Sequence, residues 1–123
     1  MPHLPGCPFC DIVSGASAVD VVHETAHTLA FTPRGPATEG HTLVIPKVHA
    51  TNLWKLPADL VAPLFEAVRE VGDLLWDEYL PDGMNVIHSA GAAATQTVFH
   101  LHVHLVPRYA AGDRMGPIWP ERA

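Results

Sequence analysis

Phe99-His100-Leu101-His102-Val103-His104-Leu105-Val106 is the stretch on which the reading of the fold turns. Side chains on a strand alternate between faces, so a strand here puts His100, His102 and His104 on one face and Leu101, Val103 and Leu105 on the other. The spacing predicts a strand over Val98 to Pro107. Working outward, MNVIHS at 84–89 reads as the strand before it, set off by the Pro-Asp-Gly turn at 81–83, with the small-residue loop AGAAAT between them. Upstream of these, residues 57–79 carry Leu60, Leu64, Val68, Val71 and Leu75 at three- and four-residue spacing, the stripe of an amphipathic helix. Pro63 removes an amide donor, so the regular helix is expected to begin late. Three further strands are predicted at 19–24, 28–31 and 41–46, with TPRGPATEG (32–40) as a loop. The order β-β-β, helix, β, β gives an α+β class, an antiparallel sheet crossed by one long helix.

Length and composition agree with one ordinary domain. The chain has 123 residues, 48% of them apolar, with twelve prolines and nine glycines that imply short elements and many turns. A formal charge of −6 and no basic run remove the footprint expected of a binder of duplex nucleic acid or anionic membrane. No apolar run approaches the ~18 residues of a membrane span. The start MPHLPGCPFC lacks the basic and apolar regions of a signal peptide, and the expected location is the cytoplasm.

Nine histidines outnumber the seven lysines and arginines, which points to proton, phosphate or metal chemistry. Successive members of the triad lie about 6.6 Å apart on a strand, and zinc–nitrogen bonds are only ~2.0–2.1 Å. All three therefore do not converge on one ion without severe distortion. At least one imidazole is left for chemistry, and near its ordinary pKa of ~6.5 it can act as nucleophile or general acid–base. The middle ring, His102, is best placed to be positioned from both sides. Cys7-x-x-Cys10 favours metal or redox use in a chain without an export signal, and a closed tetrahedral site needs two more ligands.

The histidine stretch resembles the signature of the histidine triad family, His-φ-His-φ-His-φ-φ with φ apolar. CPFC near the start, LAF at 29–31, GHTLVIPKVH at 40–49 and QTVFHLHVHLVPR at 96–108 extend the resemblance in the family's order across most of the chain. It implies a five-stranded antiparallel sheet with one long helix and a short N-terminal helix, filling 1–123 as a single domain. It also implies a homodimer that cleaves or transfers nucleotidyl groups from nucleoside 5′-phosphate derivatives, either nucleoside phosphoramidates or dinucleoside polyphosphates, with a purine nucleotide or nucleotide conjugate as ligand. On that resemblance His102 is the nucleophile, His104 meets the phosphate or leaving group, and Gln96 lies by the leaving-group oxygen. Ser89 and Thr97 occupy phosphate-contact positions. Some bacterial members complete a zinc site with the histidines equivalent to His49 and His100, which here would join Cys7 and Cys10 in a structural Zn²⁺ centre.

The chain departs from the family in three places, one of them the turn Ser89-Ala90-Gly91, which in the family is rich in asparagine. Pro33 stands where an acidic residue commonly binds the ribose, leaving Arg34 beside it as a candidate for an anionic group. Thr95 replaces the glycine usual before Gln96. His41 and His88 are read as structural, and Trp54, Trp76 and Trp119 as core or dimer surface. Two other readings stand beside the nucleotidyl enzyme: a catalytically weak nucleotide- or zinc-binding protein on the same fold, and a metallohydrolase with its ion on His102 and His104.

Overall fold

In the computed structural model, which describes residues 3–119, the elements run α1 (Pro8–Ser14), β1 (Val21–Glu24), β2 (Thr28–Phe31), β3 (Thr42–Pro46), α2 (Val61–Tyr79), β4 (Gly83–Ile87) and β5 (Val103–Arg108). All strand pairs are antiparallel, in the order β1-β2-β3-β5-β4. The class is α+β as the residue pattern predicts, with one long helix and one short N-terminal helix.

The long helix α2 lies on one face of the sheet. Leu64, Ala67, Val68, Val71 and Leu75 pack there against Val44, Leu101, Val103 and Leu105. On the other face Phe9 and Cys10 of α1, with Cys7 at its N-cap, pack with Leu29, Phe31, Leu43 and Ile45. Both faces of β2 and β3 are thus covered, which is why LAF and LVIP read as unbroken apolar runs. Pro63 is the third residue of α2, where the first turn lacks an internal acceptor for its amide anyway. Residues 58–60 ahead of it form a single 3-10 turn, so the predicted start at 57 moves to Val61.

The strand predicted over 98–107 begins only at Val103. β3 pairs with β5 as far as Val44 opposite Val103, and continuing the ladder would bring Pro46, which has no amide proton, opposite Leu101. Instead the Leu101 amide donates to the Ala50 carbonyl at 2.6 Å. The Pro46 carbonyl accepts from the His100 ring at 2.9 Å. His100 and His102 therefore precede the strand that carries His104. Smaller shifts move the first strand to 21–24, the third to 42–46 and the fourth to 83–87. The tryptophans are not core: Trp54, Trp76 and Trp119 are 76%, 44% and 73% exposed.

Candidate active site and metal centre

Alternation sends Leu101, just ahead of β5, and Val103, its first residue, into the helix-side core and turns the histidines to the other face. There the three rings separate into two sites. His100 is fully buried and donates its Nε2–H to the Pro46 carbonyl. That fixes its tautomer and aims the Nδ1 lone pair at two thiols, Cys7 Sγ at 3.4 Å and Cys10 Sγ at 3.5 Å. His49 Nδ1 stands 3.5 Å from Cys10 Sγ. One donor atom from each of Cys7, Cys10, His49 and His100 lies within 4.8 Å of the other three. A tetrahedral zinc with bonds of ~2.0–2.1 Å to nitrogen and ~2.3 Å to sulfur sets nitrogen–sulfur separations near 3.6 Å. The donor set fits such an ion. Burial raises the Cys10 thiol above its ordinary pKa, which a bound cation would reverse.

The other two rings line a cavity of about 310 Å³ with Ser89, Thr95, Gln96 and Thr97. Of the six site residues predicted outside the metal set, this cavity gathers His102, His104, Gln96, Ser89 and Thr97. Arg34 is the exception; it lines a separate cavity of about 620 Å³ with Phe9, Ile12, Phe31, Pro33 and Leu43. Phe9 of this larger cavity packs edge-on against His102 of the smaller one, the ring centroids 5.1 Å apart at 90°.

Hydrogen bonds assign the protons in this cavity. His102 Nδ1–H donates to the His100 carbonyl at 2.8 Å, which leaves Nε2 with a free lone pair. His41 Nδ1 accepts the Ala37 amide at 2.9 Å, so a neutral His41 is protonated on Nε2. That Nε2–H donates to His104 Nδ1 at 3.0 Å, which puts the His104 proton on Nε2. The cavity is thus lined by one imidazole with an acceptor nitrogen and one with a donor. Burial lowers the pKa of His102, with its carbonyl partner opposing in part. Burial, helped by His102, His41 and His88, pushes His104 down to about 4. Both rings are neutral at pH 7.

Gln96 is 4% exposed, and its amide closes the loop under the cavity. Its Nε2 donates to the Thr51 and Val98 carbonyls at 2.7 and 3.0 Å. Its Oε1 accepts the Gly91 amide at 2.7 Å. One lone pair on Oε1 is all this side chain has left to offer a ligand.

The residue reading missed two participants. His41, read as structural, is the hydrogen-bond partner of His104. Leu43 pairs with His104, so His41 lies diagonally across the ladder on the same face, a signal available once those two strands are paired. Gly40 at φ +89° sets it there, since a Cβ at that position would meet Tyr79 at 2.9 Å. Phe9 lies between the two cysteines of CPFC, where the spacing marks only its neighbours.

A two-faced antiparallel sheet with a neutral imidazole pair in a cavity and a Cys₂His₂ tetrad behind it defines a class of small α+β proteins built around a histidine row. The HIT domain model matches residues 15–111. The chain is 40% identical over 117 residues to "Protein hit" of Bacillus subtilis, covering 95% of this chain and 81% of that one. It is 35% identical over 114 residues to an adenosine 5′-monophosphoramidase of Schizosaccharomyces pombe, covering 93% and 83% of the two chains. A zinc-bound histidine triad family protein from Mycobacterium smegmatis superposes with a TM-score of 0.83 at 36% identity, covering 95% and 85%. The chain belongs to the histidine triad (HIT) family.

Proposed function

We propose that this protein is a nucleotidyl hydrolase or transferase that acts through a covalent nucleotidyl-histidine at His102. One observation carries the reading: His102 has its Nδ1 proton committed to the His100 carbonyl, so a neutral Nε2 lone pair is held ready beside a donor imidazole. The nucleoside occupies the larger cavity, where Phe9, Ile12, Phe31 and Leu43 offer an apolar, aromatic slot for a purine. Its 5′-phosphate reaches the smaller cavity, where Ser89 and Thr97 contact its oxygens.

His102 Nε2 attacks the α-phosphorus, forming a P–N bond as the bond to the leaving group breaks. The leaving atom takes its proton from a water molecule, while His104 Nε2–H, set by His41 on Nδ1, donates a hydrogen bond to it and stays neutral. The hydroxide left by that proton transfer attacks the same phosphorus, the P–N bond to His102 breaks, and nucleoside monophosphate leaves with both rings in their starting forms. Each step is an easier displacement than the single one it replaces. Gln96 Oε1, with one lone pair open, accepts a hydrogen bond from the leaving group or the incoming water.

Zn²⁺ is the ion we assign to the Cys7–Cys10–His49–His100 tetrad. With four protein ligands it supplies cross-linking and no open coordination position. Among the described residues no other set of three or more metal-ligating side chains converges, which speaks against an ion on His102 and His104.

The phosphoramidase relative makes adenosine 5′-phosphoramidate the first substrate to try. Release of AMP by the wild type, reduced about a thousandfold or more in His102→Ala, is expected. Equal turnover by the two proteins would favour the alternative of a nucleotide-binding protein of weak activity, which Pro33 on the rim of the larger cavity keeps in play. We further infer a homodimer, formed in the cytoplasm, through the free edge of β4 and the adjoining apolar groove of Trp76, Met84 and Val86.

A further inference from the structure

We propose that Phe9 is a positioning residue through which the Cys7–Cys10–His49–His100 tetrad controls both the larger cavity and the orientation of the His102 ring. The starting point is α1. Seven residues are too few for a helix to hold itself together in water, so its order comes from what it is tied to. Beyond Cys10 the helix is only partly covered: Asp11, Ile12 and Val13 are half-buried and Ser14 is exposed. The buried attachments are Cys7, Phe9 and Cys10. Two of these belong to the tetrad and the third sits between them.

The thiols also organise the backbone around Phe9. Cys7 Sγ accepts the Cys10 amide at 3.3 Å and caps the helix, and Cys10 Sγ accepts the Leu4 amide at 3.3 Å. Held this way, the Phe9 ring makes three edge contacts, with Phe31 at 5.5 Å, His100 at 5.9 Å and His102 at 5.1 Å. Pro8, Phe9 and Ile12 of the same helix form one wall of the larger cavity. The hydrogen bond from His102 Nδ1 to the His100 carbonyl fixes one atom of the imidazole. The perpendicular Phe9 ring restricts its plane, and the two contacts together set where Nε2 points. An ion joining Cys7 and Cys10 to His49 and His100 therefore clamps a cavity wall and a nucleophile's neighbour with one set of bonds. Occupancy of the tetrad is read out as ligand affinity and as ring orientation, without any contact between ion and ligand.

The test compares wild type and Phe9→Ala, each zinc-loaded and chelator-treated. AMP affinity is measured by calorimetry, and the His102 imidazole is followed by NMR. Only the affinity arm rests on the nucleotide reading above. Chelation of the wild type should weaken AMP by about tenfold and shift the His102 ring signals. Loaded Phe9→Ala should keep one zinc per chain yet show the same two changes, and chelating it should add little, because coupled perturbations are not additive. Equal effects of chelation in the two proteins, or none in the wild type, would overturn the proposal. Should chelated wild type lose its fold, loaded Phe9→Ala with wild-type affinity and ring signals overturns it as well, with Phe9→Leu reporting the ring apart from the volume. If AMP fails to bind loaded wild type, the nucleotide reading falls, and the ring signals still decide the coupling.

Discussion

A single proton inventory links four histidines. Pro46 O holds His100 Nε2–H and His100 O holds His102 Nδ1–H, while the Ala37 amide directs the His41 proton toward His104. Burial makes the neutral forms the stable ones, and that has a pH consequence of definite sign. His104 titrates at about 4 in the fold and near its ordinary value when unfolded. Between those values the unfolded chain binds more protons, so stability is full above pH ~6.5 and falls as pH drops toward ~4. Urea midpoints should therefore decline from pH about 7.5 to about 5, and a flat profile would contradict the buried neutral pair. For the same reason the acid limb of the rate should lie below the ordinary imidazole pKa, since His102 keeps its lone pair there. Thr95 adds a conformational prediction. It sits at φ +72°, in the left-handed region that a β-branched residue rarely occupies. Thr95→Gly should stabilise the protein by about 1 kcal/mol in thermal or denaturant unfolding. A loss of stability would mean the Thr95 hydroxyl bond to the Ala94 carbonyl outweighs the strain.

Among the elements, α1 and the Pro46 to Ala50 turn depend on side chains that are far apart in sequence. Cys7→Ser should remove bound zinc and lower the unfolding temperature while leaving α2 intact, because the long helix is held by its own apolar stripe. Metal analysis beside circular dichroism checks both halves of that statement, and full zinc content in the variant would remove the tetrad as the site. Leu64, fully buried at the start of that stripe, should cost about 2–5 kcal/mol on truncation to alanine. The α2 stripe and the apolar runs of β2 and β3 were legible because burial imposes a period, or its absence, on local sequence. The start of β5 was not, because the histidine alternation continues through 100–102 while the partner strand has already run out at Pro46. Cys7 and Cys10 announced half a metal site by spacing; His49 and His100 came only with the resemblance. The His41–His104 bond lies across a strand pairing that no single segment encodes.

At the scale of the molecule, the sheet has a free edge. β4 has one neighbour, Val86 on it is 55% exposed, and Trp76 of α2 stands at the same apolar groove. A second copy laid along this edge would cover both. On the proposed homodimer, wild type should sediment as a dimer at micromolar concentration and Val86→Asp as a monomer, and an unchanged sedimentation coefficient in the variant would contradict this interface. Phe9 of the larger cavity stands 5.1 Å from His102 of the smaller one, and the proposed reaction places the nucleoside on one side of this contact and the leaving group on the other. The most direct measurement on that layout is intact mass after brief incubation with adenosine 5′-phosphoramidate and an alkaline quench. Wild type should carry one adenylyl group per chain, mapped to His102 on digestion and missing in His102→Ala. Turnover without any adduct, or an adduct that persists in His102→Ala, would contradict His102 as the nucleophile.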